Sequence, residues 1–501
     1  MPFILPEYLK KLVEELPGDK NCWKYFFSVT QIPRGSNQDG ECFRHHKITK
    51  YLVECAKELG CDVSIDKGEN IIIRKQATAG LESKPTVCLQ CHMDMVCEKD
   101  DSTNINFDTD PLTPYSDGKY IRAKGTSLGA DNGIGIGSCF AILANKEIQH
   151  GPLEVLVTRD EETGLFGATD LEQGILKAKY LINVDNEDRN MICIGCAGGF
   201  TITMNLDTPR ESLDGYIKKT LVLNNFIGGH SGCDIHLGRA NCMHIMARML
   251  KSVNQSIDYR ILSINCGSAH NAIPRKCIVE ISIPENQLTT FTEEMNLEFS
   301  KFSHEYKLIE TTATFSIEDS TTSLLPTTST CTKTFVNFLN FFPFGPTRMS
   351  PDVQGLVETS ITCAIGKVIS DNTIQFTASV RSSSKSQIDS MYTKVMSICE
   401  VCGIQLSAKN GEYPGWEPNP TGFVTQCLRQ AYISTQKTDP IIYACHAGLE
   451  CGLIQEKYPQ MDCTSVGPEV LSPHSPDEKL LIVSVDEFMH VLEQALLNLI
   501  Q

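Results

Sequence analysis

Two histidines and a handful of carboxylates in this 501-residue chain fall where strands of a sheet would end. In TVCLQCHMDMVCEK, His92 and Asp94 stand two residues apart on a strand-like run, so both side chains point to one face. They lie at its C-terminal end, where open α/β sheets bind ligands. Asp131 follows Gly129 in GTSLGADNGIGIG and opens a helical segment, where a helix N-terminus stabilises a carboxylate. Asp160, Glu161 and Glu162 close the apolar run LEVLVTRD, Asp185 closes YLINVD, and His474 sits in the loop SPHSPDE. Imidazole and carboxylate together are the ligand chemistry of zinc or a neighbouring divalent metal. Each residue alone has a plainer reading. A strand-end His or Asp is commonly a satisfied polar group, and three consecutive acids are commonly a solvated face. Their joint placement after apolar strands gathers negative charge that repels itself unless cations neutralise it. Residue type and spacing leave both a metalloenzyme and ordinary polar strand ends open.

The elements that must position these residues are readable from periodicity. Leu5, Leu9, Leu12, Val13 and Leu16 recur at helical spacing, and GECFRHHKITKYLVECAKELG forms a helix stopped by Gly60. CDVSID, NIIIRK, TVCLQCHMD, LEVLVTRD and YLINVD read as strands, with DNGIGIGSCFAILAN as a helix built partly of small residues. Short β-branched runs alternating with helices predict an α/β first domain, with a mixed, mostly parallel sheet flanked by helices. From about residue 205 the pattern becomes β-α-β-β-α, with helices expected near 236–253 and 287–305. Strands near 360–368 and 373–381 and a helix near 387–402 continue it, while the Ser/Thr-rich stretch 318–332 reads as a loop. This predicts an inserted α+β domain over 205–412, with the first domain comprising 1–204 and 413–501. Trp416, in the proline-rich YPGWEPNP, marks the expected return, and VSVDEFMHVLEQALLNLI is a strongly periodic final helix.

Composition excludes several function classes. A formal charge of −17 argues against nucleic acid or an anionic membrane as partner, since both require basic patches. The chain has no apolar run of the length that spans a bilayer, and its N-terminus lacks the pattern of a secretory signal. The 22 cysteines are therefore expected to be reduced, in the cytosol. The CxxC pairs Cys88/Cys91, Cys193/Cys196 and Cys399/Cys402 lack the turn-forming context of a zinc ribbon or a thioredoxin-type site, and read as filler.

The motifs CHMDMVCEK, GTSLGADNGIGIG, TRDEETGLFGA, LINVDNED, GGHSGCDIHLGRAN, NAIPR, YPGW, HAGLECG and GPEVLSPHSPDE carry a resemblance. In this order they resemble the bacterial aminoacylhistidine dipeptidases (Xaa-His dipeptidases), a branch of the co-catalytic zinc peptidases that include carnosinases and aminoacylases. The similarity runs from the first helix to the last.

The resemblance implies a dinuclear metallodipeptidase hydrolysing unblocked dipeptides, Xaa-His types included; an aminoacylase or short-peptide carboxypeptidase of the same fold is the alternative. It implies two divalent ions per subunit, zinc first, with manganese or cobalt as alternatives. Asp131 would bridge them, His92 and Asp185 completing one shell and Glu162 and His474 the other. Asp94 would orient the His92 imidazole and Glu161 would be the general base. His230 would steady the oxyanion or the substrate, as the equivalent histidine of the family does, often from a dimer partner, and Arg381 would grip the substrate carboxylate. Asn241 would assist, while His446 and Glu450 would line the pocket, Glu450 receiving the free amine. The resemblance makes 1–204 and 413–501 the catalytic domain and 205–412 a lid and dimerisation domain, so a homodimer whose lid closes on a small dipeptide is expected. Asn186 departs from the pattern, standing where Ser is expected.

Overall fold

The computed structural model describes residues 3–37, 45–253 and 256–501. The chain divides into two units. One comprises Met1–Gly195, Trp416–Ala444 and Leu449–Gln501; the other comprises Cys196–Gly415 with Cys445–Gly448.

The first unit is built on an eight-stranded sheet in the order Asp62–Ile65, Ile71–Lys75, Leu153–Thr158, Val87–His92, Tyr180–Asn183, Asp462–Ser465, Met191–Cys196, Ile441–Cys445. Parallel pairing joins 153–158, 87–92, 180–183 and 462–465 at the centre. The edge pair Asp62–Ile65 and Ile71–Lys75 is antiparallel, because the turn between them is too short for a crossover. Asp66 closes that turn by accepting from the Asn70 N–H at 2.8 Å. Val87–His92 and Leu153–Thr158 are buried along their whole length, as expected for strands covered on both faces. The helix Ala130–Ala144 is equally enclosed, and its small residues explain how. A Cβ at Gly137 would lie 2.7 Å from the Cys22 carbonyl oxygen, so glycine lets this helix close on Lys20–Thr30. That helix adds Trp23, Phe26 and Phe27 to the core.

The inserted unit is an antiparallel nine-stranded sheet. Its path is Thr314–Asp319, Tyr216–Asn224, Cys277–Pro284, Arg260–Cys266, Val357–Ser370, Thr373–Ser382, Gly198–Asp207, Gln405–Tyr413, with Gly345–Met349 beside Val357–Ser370. The helices Cys242–Ser252, Leu288–Glu305, Ser329–Phe341 and Lys385–Cys402 contribute Met246, Phe291, Phe335 and Val395 to one hydrophobic core with it.

Local polar contacts moved several expected boundaries. The helix anticipated over 236–253 begins at Cys242, because the Asn241 side chain caps it and 235–237 is a separate 3₁₀ turn ending at Gly238 (φ 69°). The stretch read as a loop over 318–332 is entered by the strand Thr314–Asp319 and left by the helix Ser329–Phe341. Thr328 caps that helix by accepting from the Cys331 N–H at 3.3 Å. The helix expected from GECFRHH onward is present as His46–Glu58, with Gly60 at φ 76° after it; residues 40–44 of that motif lie outside the described residues. Among the described residues, no helix is long and apolar enough to cross a membrane. Most of the described cysteines are buried.

Candidate metal centre

Register decides where the acidic residues meet. His92 pairs with Thr158 and Gln90 with Asn183, so three parallel strands end at one level. Each chain leaving that edge carries part of the set: His92 to Asp94, Asp160 to Glu162, and Asp185. Asp160 takes a left-handed conformation (φ 46°), and its buried carboxylate is gripped by the Asn37 N–H (2.8 Å), His45 Nε2 (2.6 Å) and an Arg159 guanidinium N–H (2.9 Å). Beyond this turn, the Glu161 and Glu162 N–H groups donate to opposite oxygens of Asp94, at 3.1 and 3.3 Å. Ser36 Oγ adds a third donor at 2.6 Å. Asp94 thus ties the Glu161–Glu162 turn to the strand end that bears His92. His92 Nδ1 faces an Asp94 oxygen at 3.3 Å without the alignment of a full hydrogen bond.

Asp131 was expected to open the helix. It does stand in the first turn of Ala130–Ala144, but at a kink, with non-helical dihedrals (φ −77°, ψ 112°) and a cis peptide to Asn132. Its Oδ1 lies 2.9 Å from His92 Nε2 and its Oδ2 3.1 Å from His474 Nε2. His92 Nε2 is also 3.5 Å from Asp185 Oδ1, and His474 Nε2 is 2.9 Å from Glu162 Oε2. Two triads result, His92–Asp131–Asp185 and Asp131–Glu162–His474, each with ligand atoms within 4.8 Å of one another. They share Asp131. A third grouping, His92–Glu161–Glu162, meets the same limit and brings Glu161 to the same centre.

The donor set fits divalent cations, and the electrostatics show why. Buried Asp185 Oδ1 and Glu162 Oε1 have no hydrogen-bond partner. Burial and the neighbouring carboxylates push Asp185 up to about 7. Burial and the charges of Asp131 and Asp185 push Glu187 to about 9. Glu161 is raised well above the carboxylate range by burial, with Asp185, Glu162 and Glu450 adding to it. Hydrogen bonds to Asp131 and Glu162 raise His474 to about 11. Burial opposes the protonated form of His92, but Asp185 and Asp131 outweigh it and raise its pKa. Protons are drawn to this cluster because it holds excess negative charge, the condition a cation relieves.

Glu450 lies in the same unit. Its Oε2 accepts from Gln90 Nε2 (2.5 Å) and Thr158 Oγ1 (2.9 Å), and its buried Oε1 has no partner. His446, four residues earlier, belongs to the inserted unit, where its Nε2 is 2.7 Å from Ser360 Oγ. Burial, then the Arg381 charge, lowers His446 to about 3, so it is neutral. In that unit the Arg381 guanidinium donates to Tyr413 Oη at 3.0 Å and lies 3.5 Å from His230 Nε2. His230 Nδ1 accepts from the N–H groups of Gly232 (3.2 Å) and Cys233 (2.9 Å). A neutral imidazole so held carries its proton on Nε2. Asn241 is not among these residues. Its Oδ1 accepts from the Met243 N–H (2.9 Å) and its Nδ2 donates to the Cys363 carbonyl (2.8 Å), so its amide is occupied in capping a helix.

Sequence reasoning missed Glu187, Tyr413, Arg34 and Glu478. Glu187 and Glu478 stand inside motifs already singled out, each a short step from a candidate ligand, and that adjacency was the available signal. Arg34 in IPRGS offered none. Asn186, the residue out of pattern, accepts at Oδ1 from Tyr443 Oη at 2.8 Å.

An α/β sheet whose parallel strands end on two His–carboxylate triads, interrupted by an inserted α+β unit, defines the class of metallopeptidase hydrolases. The chain belongs to peptidase family M20/M25/M40, which matches residues 88–498. It is 36% identical to the cytosol non-specific dipeptidase of Escherichia coli over 475 residues, 95% of this chain and 96% of that one. The crystal structure of aminoacylhistidine dipeptidase from Vibrio alginolyticus superposes with a TM-score of 0.89 at 38% identity, covering 97% of both chains. Aminopeptidase PepT from Bacillus cereus has the same fold at 15% identity, with a TM-score of 0.55 over 96% of this chain and 99% of that one.

Proposed function

We propose that this chain is a metal-dependent dipeptidase acting on unblocked dipeptides, Xaa-His among them. The observation that carries it is Asp131, one carboxylate whose two oxygens each serve a separate triad. Divalent ions held by His92, Asp131 and Asp185 and by Asp131, Glu162 and His474 would acidify an attacking water and polarise the scissile carbonyl. Zinc suits the mixed imidazole and carboxylate donors, as do manganese and cobalt.

Glu161 acts as general base. Its carboxylate takes the water's proton and returns it to the leaving amine. Asp94 holds the Glu161 backbone and faces the far side of the His92 ring, so base and ligand move as one. Arg381 receives the substrate's C-terminal carboxylate through the N–H groups that Tyr413 leaves free. His230, with its proton on Nε2, donates to the oxyanion. Glu450, with one oxygen unpartnered, accepts the substrate's amine. Recognition of both termini measures substrate length, which separates a dipeptidase from an aminoacylase or a carboxypeptidase of longer peptides. The names of the dipeptidase relatives support this choice, and that of the Escherichia coli relative supports a cytosolic site of action. A homodimer completes the reading.

Turnover of Xaa-His dipeptides, other dipeptides, a tripeptide and acetylated amino acids tests it. Hydrolysis of the dipeptides alone is expected; fast turnover of only the acetylated compounds overturns it.

A further inference from the structure

Four residues beyond His474, the carboxylate of Glu478 is buried, with 2% of the residue exposed. Its Oε2 accepts from the backbone N–H groups of Leu128 (2.6 Å) and Gly129 (2.9 Å). Its Oε1 accepts from those of Ala130 (2.7 Å) and Asp131 (3.3 Å). Four consecutive N–H groups converging on one anion form a nest of the kind that binds phosphates, here filled by the chain's own side chain. The nest ends on the residue shared by both triads. The side chain that fills it is rooted in the segment that carries His474.

The opposite side of the nest is held as well. The buried Arg34 guanidinium donates to the carbonyl oxygens of Gly129 (2.5 Å), Asp94 (2.6 Å) and Met93 (3.1 Å). Arg34 therefore joins the turn before Asp131 to the strand end after His92, and Glu478 joins that same turn to the loop of His474. Gly129 is left-handed (φ 63°) and Asp131 is non-helical, so contacts from outside must fix where the Asp131 carboxylate points.

We propose that Glu478 is a positioning residue of the dinuclear centre. It sets the Asp131 carboxylate against His474 and preserves the geometry in which each oxygen serves one ion, without itself touching ion or substrate. The proposal rests on the dinuclear reading above. Glutamine at 478 keeps the volume but turns one acceptor into an NH₂ donor facing two N–H groups, so half of the nest is broken. Aspartate keeps the charge on a shorter stem.

The test uses full-length chain stripped of metal and titrated with Co²⁺. Binding is read by chelator competition, geometry by the visible d–d absorption, and folding by the Tm of the metal-free chain. Wild type is expected to take up two ions. Glu478→Gln should bind Co²⁺ about 10–100-fold more weakly, the usual cost of losing a residue that orients a ligand. Its d–d spectrum should change and kcat should fall with KM unchanged, while the metal-free Tm stays near wild type. Glu478→Asp should recover part of the affinity, and it carries the test if the glutamine variant does not fold. Wild-type affinity and spectrum in the folded variants overturn the proposal. So does a lowered metal-free Tm with an unchanged spectrum, since that marks a purely structural residue. If wild type itself takes up no metal, it is the dinuclear reading that fails.

Discussion

His92 Nε2 lies 2.9 Å from Asp131 Oδ1, joining a strand end to a turn 39 positions further along the chain. His474 reaches the other oxygen of the same carboxylate from 343 positions away. A single side chain thus joins two groups of candidate ligands, and its loss should be felt by both.

Asp131→Ala is expected to abolish uptake of both ions, whereas Asp185→Ala should leave one. Elemental analysis of the purified variants reads the difference directly. Equal metal content in the two variants would show that Asp131 does not bridge.

Removing metal with a chelator should abolish hydrolysis, and adding zinc, manganese or cobalt should restore it. The ion giving the highest kcat/KM at equal occupancy identifies the best fit. Activity indifferent to chelation would remove metal from the mechanism.

Glu161→Gln should lower kcat by about 10²–10⁴-fold, the usual range for a positioned acid–base group. Metal content should stay at the wild-type value, because the two triads do not require Glu161. Unchanged hydrolysis with metal bound would mean that another group moves the proton.

Arg381→Gln should raise KM for dipeptides much more than for dipeptide amides, which lack the carboxylate. Loss of a hydrogen bond to a charged group costs about 1.5–3 kcal/mol, which is about 10–150-fold in affinity. A parallel loss on both substrates would assign Arg381 to folding instead.

Acid should destabilise the inserted unit through two imidazoles held neutral. Burial lowers His244 to about 4, with its Nε2 shut off from solvent although the residue as a whole is only half-buried. Burial and then the Arg381 charge lower His446 to about 3. Unfolded, each titrates near the ordinary histidine value of about 6.5, so below that pH the unfolded chain binds protons that the folded chain refuses. Stability is therefore full above about pH 6.5 and falls as pH drops toward the folded pKa values, by up to about 1.4 kcal/mol per pH unit per group. His244→Leu should reduce the loss of Tm between pH 7.5 and 5; an unchanged loss would deny His244 any part in it.

Much of the fold and centre was legible because the signals are local. Apolar β-branched runs, small residues along Ala130–Ala144 and acids directly after strands follow from short-range periodicity and solvation. The strand Val87–His92 and the helices His46–Glu58 and Lys385–Cys402 were readable for that reason. What misled were polar side chains acting on the backbone. Asn241 as a cap trims a helix, and Thr328 starts a helix inside a stretch that composition marks as loop.

The sequence by itself determined which residue types stand at the strand ends, and that they suit a divalent metal. It did so because a side chain's chemistry and its face on a strand depend only on near neighbours in the chain. The tertiary structure decided which of them meet. Only parallel register brings His92, Glu162 and Asp185 to one edge, and only the turn held by Glu478 and Arg34 points both oxygens of Asp131 at different histidines. Such pairings close loops of up to hundreds of residues, and no local pattern encodes where the two ends of a loop come together.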